Sequence, residues 1–379
     1  MIDKKLKEKL KKFKLVKLYL LIKVEFFKKI EHIKMIFRKK FNRQYIPDIY
    51  NNINIEVSSL CNLGCKFCGY TKRNENKYPF RIMSDEDFTI NLNHALEFGY
   101  QNIGLSPVSG DIFMDKKISN KFKILENSEI KGYYFFSNFI ATNENHIEEL
   151  FKYKKLKLIG ISIYGHDEES HIKVAQSNKV SYLRLVNNLN YLYSLLLVKN
   201  LNFEISIDQR DRIDFQINQD NSELSLIIKK ILNLNLKKIK YYFETNYNNW
   251  GGLIKENDIK GLGINLNDEN KFKVGACSLL FSRLIVGADN TINACACRDA
   301  NYSLRIGNTK QNSLKEIISI KNSKYKKIID DHENGKYPDV CKSCDFYTSI
   351  YSKKHNMGFG AEKLPKINYK KFFKLSQNI

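Results

Sequence analysis

The chain has 379 residues, with 63 Lys and Arg against 41 Asp and Glu and a formal charge of +22. That length supports a large core and about two domains, and 8 cysteines in so long a chain are too sparse for a secreted disulfide scaffold. The charge is uneven, since residues 1–44 hold 16 Lys and Arg against 4 Asp and Glu. In this leader Leu6, Leu10, Phe13, Val16, Leu20, Val24, Phe27 and Ile30 recur at steps of three and four, which marks one face of a helix. A basic amphipathic helix suits an anionic membrane surface or a partner, or it packs on the body of the chain with its lysines in solvent. No aromatic-rich RNA-binding signature accompanies the charge, so nucleic acid is not an expected partner. The apolar run 18–22 lies between Lys17 and Lys23 and is too short for a signal core or a spanning helix.

After the leader, residues 52–57 read as a strand that runs directly into Cys61-Asn62-Leu63-Gly64-Cys65-Lys66-Phe67-Cys68. Strands and helices then alternate. A helix over 85–98 opens on Ser84 with Asp87 three residues on, a weak analogue of a capping box. Strands are predicted at 102–105, 132–136, 156–163, 203–207 and 239–243, and helices at 115–128, 143–153, 180–198 and 222–234. Six β/α repeats predict an α/β fold, a parallel sheet curved into a barrel or partial barrel. Ligands in such folds sit at the C-terminal strand ends, where the cysteine loop emerges.

Three thiolates in one short loop cannot close into disulfides among themselves. They can hold three corners of a [4Fe–4S] cube, which normally takes four cysteines. The fourth iron is then open to a ligand, as in catalytic rather than structural metal sites. The other readings are a zinc knuckle or isolated reactive thiols. The spacing at Cys61, Cys65 and Cys68, with the aromatic Phe67 before the last cysteine, resembles the radical S-adenosylmethionine (SAM) superfamily. The resemblance implies a (β/α)6 partial barrel, a [4Fe–4S] cluster whose open iron chelates SAM, and reductive cleavage of SAM to a 5′-deoxyadenosyl radical. It also implies SAM contacts at strand ends. Ser109-Gly110-Asp111 stands where the family has a Gly-Gly-Glu-Pro-like element, with Asp for Glu and no following Pro. Ser137-Asn138 and Ser162 match polar elements after the third and fourth strands. Each is otherwise an ordinary turn or strand end. Trp250, the single tryptophan, lies at the junction after the sixth strand, as a cavity lining or as a domain-interface anchor. His166 and His171, five residues apart, read as ordinary polar residues.

The other cysteines are Cys277, Cys295, Cys297, Cys341 and Cys344. A strand-like Leu284-Ile285-Val286, a hairpin turn at Asp289-Asn290, Ile306-Gly307-Asn308 and a helix over 313–318 separate them. This order resembles the SPASM/Twitch extensions of radical SAM enzymes. Five cysteines are too few for two auxiliary clusters, so the resemblance implies one auxiliary [4Fe–4S] cluster on Cys277, Cys295, Cys341 and Cys344. Cys297 is left over, as an alternative to Cys295 or as a functional thiol. A structural zinc fits the same spacing.

The expected organisation is a basic helical leader (1–48), a radical SAM core (49–250) and a small cysteine-rich α+β auxiliary-cluster domain (251–379). The expected activity is hydrogen abstraction from a small-molecule or carbohydrate substrate, such as one used in surface-polysaccharide synthesis. The alternatives are a peptide-modifying enzyme and a non-catalytic iron–sulfur or zinc protein. An electron donor such as flavodoxin or ferredoxin and a cytoplasmic site, with peripheral membrane contact through the leader, complete the expectations.

Overall fold

The computed structural model describes residues 23–48, 52–353 and 365–375; the part of the leader before residue 23 lies outside them. Residues 23–40 form helix α1. One face of α1 is fastened to the body. Met35 is buried there, Arg38 bridges Glu31 and the Tyr351 carbonyl, and the His32 ring lies 5.3 Å from that of Phe272. Beyond α1, Ile46–Pro47 pairs antiparallel with Lys366–Ile367.

The body is built on one sheet. Its first strand is β1 (Ile53–Ile55), followed in the chain by α2 (Asp85–Phe98), β2 (Asn102–Gly104), α3 (Ile118–Asn127), β3 (Gly132–Ser137) and α4 (Glu144–Leu150). Then come β4 (Leu156–Tyr164), α5 (Glu168–Ala175), α6 (Lys179–Val198), β5 (Glu204–Arg210), α7 (Glu223–Asn233) and β6 (Ile239–Glu244). Strands β1 to β6 pair in sequence order and in parallel. This is the six-stranded partial barrel that the alternation predicts.

Local chemistry accounts for the helices. Ser84 Oγ accepts from the Asp87 amide at 3.0 Å, and Asp85, Glu86 and Asp87 in the first turn of α2 complement its dipole. Asp167 and Ser170 form a reciprocal capping box that starts α5. In the strands, Ile159, Ile161, Ile163, Ile205 and Ile207 are buried. Each is worth about 1.5–3 kcal/mol of transfer free energy, and a period of two leaves Ser162, Tyr164, Asp208 and Arg210 on the opposite, concave face.

The C-terminal segment does not stand apart from this sheet. Its strands β7 (Ile285–Val286), β8 (Thr291–Asn293) and β9 (Arg305–Asn308) extend the sheet past β1. Strand β7 pairs parallel with β1, through Ile285 with Asn54 and Val286 with Ile55; β8 and β9 follow antiparallel. The turn predicted at Asp289-Asn290 joins β7 to β8, with Asn290 at φ +67°. Asn tolerates this left-handed conformation better than most residues. A helix α8 (Ser323–Glu333) follows.

Three differences from the predicted elements have physical causes. Strand β5 runs to Arg210, three residues beyond expectation, because its extension is polar on the concave face and lacks an apolar signature. Helix α5 was not expected, since it is short and only His171, Val174 and Ala175 are buried. Helices α3 and α4 are shorter than predicted, each having polar or turn residues at its ends.

Candidate radical and auxiliary cluster sites

The cysteine loop leaves the C-terminal end of β1 and is pinned from both sides. The Gly64 and Lys66 amides donate to the Ala175 and Val174 carbonyls at the end of α5, at 3.0 and 3.3 Å. Across the loop the Cys68 amide donates to the Cys65 carbonyl at 3.0 Å, and Cys68 Sγ accepts from the Tyr70 amide at 3.5 Å. Burial pushes the Cys68 thiol up to about 11. Cys61 and Cys65 are pushed up too, first by burial and then by neighbouring negative charge, which for Cys65 is that of the other two thiolates. Three sulfurs, that of Cys65 buried and those of Cys61 and Cys68 half-buried, within one another's electrostatic reach are poor as free thiolates. Bonding to a metal cluster removes that cost, so this donor set fits a three-cysteine cluster.

The strand-end residues converge on the loop. The Asp111 amide donates to the Leu60 carbonyl at 2.7 Å. Gly110 lies so close to the chain before Cys61 that a Cβ there would meet the Leu60 and Ser58 oxygens at 2.9 and 3.0 Å. The Asp111 carboxylate, buried, accepts from Ser137 Oγ, from the Asn138 amide (both 2.8 Å) and from the Phe113 amide (3.0 Å). Burial pushes this carboxyl up, against the pull of its donors. Its place is therefore structural: it locks the turn after β2 to the end of β3. Asn138 in turn donates to Asn62 Oδ1 at 2.8 Å and faces Cys61 Sγ at 3.9 Å. Ser109 Oγ is buried without a partner among the described residues. Ser162 sits on the concave face, in register with Asp208. Phe67 packs between Tyr164 and Tyr247, with ring centroids at 5.1 and 4.5 Å.

Beside the loop lies a residue that the sequence reading missed. Arg210, at the end of β5, has its guanidinium 6.0 Å from the Tyr164 ring and favours the thiolates of Cys65 and Cys68. Among the described residues it has no carboxylate within ion-pair distance. Below it, Asp208 is held by Ser206 Oγ at 3.0 Å and pushed up by burial. Continuing the alternation past Ile207 would have found both. Outside this wall, His166 Nδ1 pairs with Asp211 at 2.8 Å and His171 Nδ1 with the Tyr164 carbonyl at 2.8 Å, which fixes local turns.

Trp250 resolves as an interface anchor. Its ring covers Gly69, where a Cβ would lie 2.7 Å from Cε3 and 3.0 Å from the Ala300 methyl. Next to it, Asn249 donates to the Ser343 carbonyl at 2.6 Å. The C-terminal segment thus packs directly on the cysteine loop.

A small cavity of about 20 Å³ is lined by Cys277, Cys295, Cys341 and Cys344 together with Leu279, Leu280, Arg298, Leu304, Val340 and Tyr347. These are the four cysteines expected to act together, set in a mostly apolar wall that Arg298 also joins. Burial pushes Cys277 to about 12 and Cys344 to about 11. Cys344 Sγ also accepts from the Phe346 amide at 3.3 Å. Cys297 is near Cys277 and Cys295 but outside this lining. Among the described residues no three His, Cys, Asp or Glu side chains could hold a single metal ion; the four sulfurs are spread around the cavity wall. An apolar, four-thiol cavity fits a closed [4Fe–4S] cluster.

Fold and sites together define a partial-barrel iron–sulfur enzyme. Residues 55–201 match the radical SAM superfamily and residues 277–345 match SPASM, an iron–sulfur cluster-binding domain. The chain is a radical SAM superfamily enzyme with a C-terminal SPASM domain, and its cofactors are SAM and [4Fe–4S] clusters. Among solved structures it is similar to BtrN in complex with AdoMet and 2-DOIA (14% identity, TM-score 0.50, 82% of this chain and 98% of that one). It is also similar to Streptococcus suis SuiB (13%, 0.48, 84% and 76%). A third is anSMEcpe with bound AdoMet and the Cp18Cys peptide (14%, 0.45, 87% and 99%). At these identities the likeness is one of fold. No curated protein matches the chain.

Proposed function

We propose that the chain acts on a small, polar, carbohydrate-like molecule bound against the concave face of β4 to β6. The observation that carries this is the wall itself. Ser162, Asp208 and Tyr242 lie in register across three strands. One step nearer the cysteine loop, Arg210 lies in register with Tyr164 and Glu244. Hydroxyls, two carboxylates and a guanidinium with no ion-pair partner among the described residues are donors and acceptors for a polyhydroxylated ring, and a site built to hydrogen-bond hydroxyls rejects analogues that lack them. Cys61, Cys65 and Cys68 would hold a [4Fe–4S] cluster that, with SAM, would supply reductive radical chemistry for abstracting hydrogen from an unactivated C–H bond. Around it, the protein's work is to place and shield. Asn138 and the Asp111 network hold the loop, Phe67 and Tyr164 exclude water, and Arg210 offers a fixed cation to an anionic group. Cys277, Cys295, Cys341 and Cys344 would hold an auxiliary cluster, which would take up an electron or brace the domain.

A peptide substrate is the second reading. Against it, the described residues before the barrel form one helix and a two-residue strand. The test is anaerobic 5′-deoxyadenosine formation with a reductant such as flavodoxin or ferredoxin. A panel of sugars, nucleotide sugars and aminocyclitols is compared with a peptide library. Stimulation by a polyhydroxylated small molecule, lost in Asp208→Asn, is expected. Stimulation by peptides alone would overturn the proposal.

A further inference from the structure

We propose that α1 is a docking surface for anionic lipid bilayers, lying in the plane of the headgroups. With 100° per residue, Phe26, Ile33 and Phe37 fall within a wedge of about 40° on the side away from Met35 and Arg38. They are 60%, 65% and 60% exposed, and Phe41 continues the stripe, its ring centroid 4.6 Å from that of Phe37. Large apolar side chains left in solvent on one line mark an interaction surface. The helix is not loose for want of contacts, because its other face is tied down by Met35, Arg38 and the ion pair of Lys39 with Glu333. It is held as a rail with its apolar edge outward.

The flanks decide what covers that edge. Lys29 and Lys40 border the stripe on one side and Lys34 on the other, all exposed. Residues 23–43 carry 8 Lys and Arg against 2 Glu. An apolar stripe between two rows of lysines matches the boundary of an anionic membrane, with aromatic rings at the acyl edge and ammonium groups reaching back to phosphates. A second copy would bring two strongly basic helices together, and an acidic nucleic acid gives the phenylalanines nothing to enter. The sequence before residue 23 adds 8 further lysines. Among the described residues no helix is long and apolar enough to cross a membrane.

The test uses the full chain with its clusters loaded and vesicle flotation on neutral lecithin or on lecithin with about one-third phosphatidylserine. Wild-type protein is expected to bind the anionic vesicles at least about tenfold better, with the preference falling at high salt. Phe26→Ser/Ile33→Ser/Phe37→Ser and, separately, Lys29→Gln/Lys34→Gln/Lys40→Gln are each expected to lose about tenfold. Both retain 5′-deoxyadenosine formation in lipid-free solution, which certifies the fold. If the apolar triple does not fold, the lysine triple, on fully solvated positions, still decides the question. Equal binding to both vesicle types would overturn the proposal. So would unchanged binding by the lysine triple, or a lipid-free dimer that the apolar triple dissolves.

Discussion

Glu56 follows β1, fully buried, five residues before the first cysteine, and its ionisation reports on the whole assembly. Its carboxyl accepts from the hydroxyls of Tyr78 and Tyr302, the latter at 2.9 Å, and from the Val108 amide at 3.1 Å. Tyr78 and Tyr302 are stacked, with centroids 3.7 Å apart. Burial outweighs these donors and the Arg73 charge and raises the pKa from 4.5 to about 7. A carboxyl raised on folding contributes stability that is complete below the unfolded pKa and lost as pH rises through the folded one. With these two values the loss between pH 5 and 8 is about 2 to 3 kcal/mol. Glu56→Gln, neutral throughout, is expected to remove that part of the pH dependence. The assay is anaerobic guanidinium unfolding of both proteins, followed by far-ultraviolet circular dichroism at several pH values, so that terms common to the two cancel. Wild type should lose ground to the variant as pH rises. A constant difference, or wild type gaining on the variant toward pH 8, would refute the reasoning.

Two further outcomes follow from the sites. Cys277→Ala should lower the anaerobic iron and sulfide content from about eight to about four per chain, while Cys297→Ala should leave about eight; equal losses would place Cys297 among the ligands. Asp111→Ala strands three buried donors, on Ser137, Asn138 and Phe113, and should cost about 2 to 4 kcal/mol by guanidinium unfolding along with weaker SAM retention in equilibrium dialysis. Wild-type stability in this variant would show that the carboxylate does not hold the strand ends together.

The sequence spoke most clearly where chemistry is local. The thiol spacing of Cys61, Cys65 and Cys68, the capping serine at 84 and the alternating isoleucines of β4 were legible because each depends on neighbours a few residues away. Asp111 was legible in place, while its hydrogen-bond partners were not, since two of its donors come from the end of another strand. Arg210 was missed because a polar strand end has the same composition as a loop. The union of β7 with β1 joins residues more than two hundred positions apart, and no periodicity announces it. Glu56 was invisible for the same reason, its partners being supplied by two loops and by the C-terminal segment.

That shared sheet has a consequence for dissecting the enzyme. Because β7 is hydrogen-bonded along β1, with the Asn54 and Glu56 amides donating to the Leu284 and Val286 carbonyls, cutting the chain after the barrel would not release a finished domain. It would uncover β1 as a raw edge strand, with Ile53 and Ile55 exposed at the rim and unsatisfied amides beside the cysteine loop. Such an edge recruits other chains, so the truncated barrel is a candidate for aggregation rather than for a minimal catalyst.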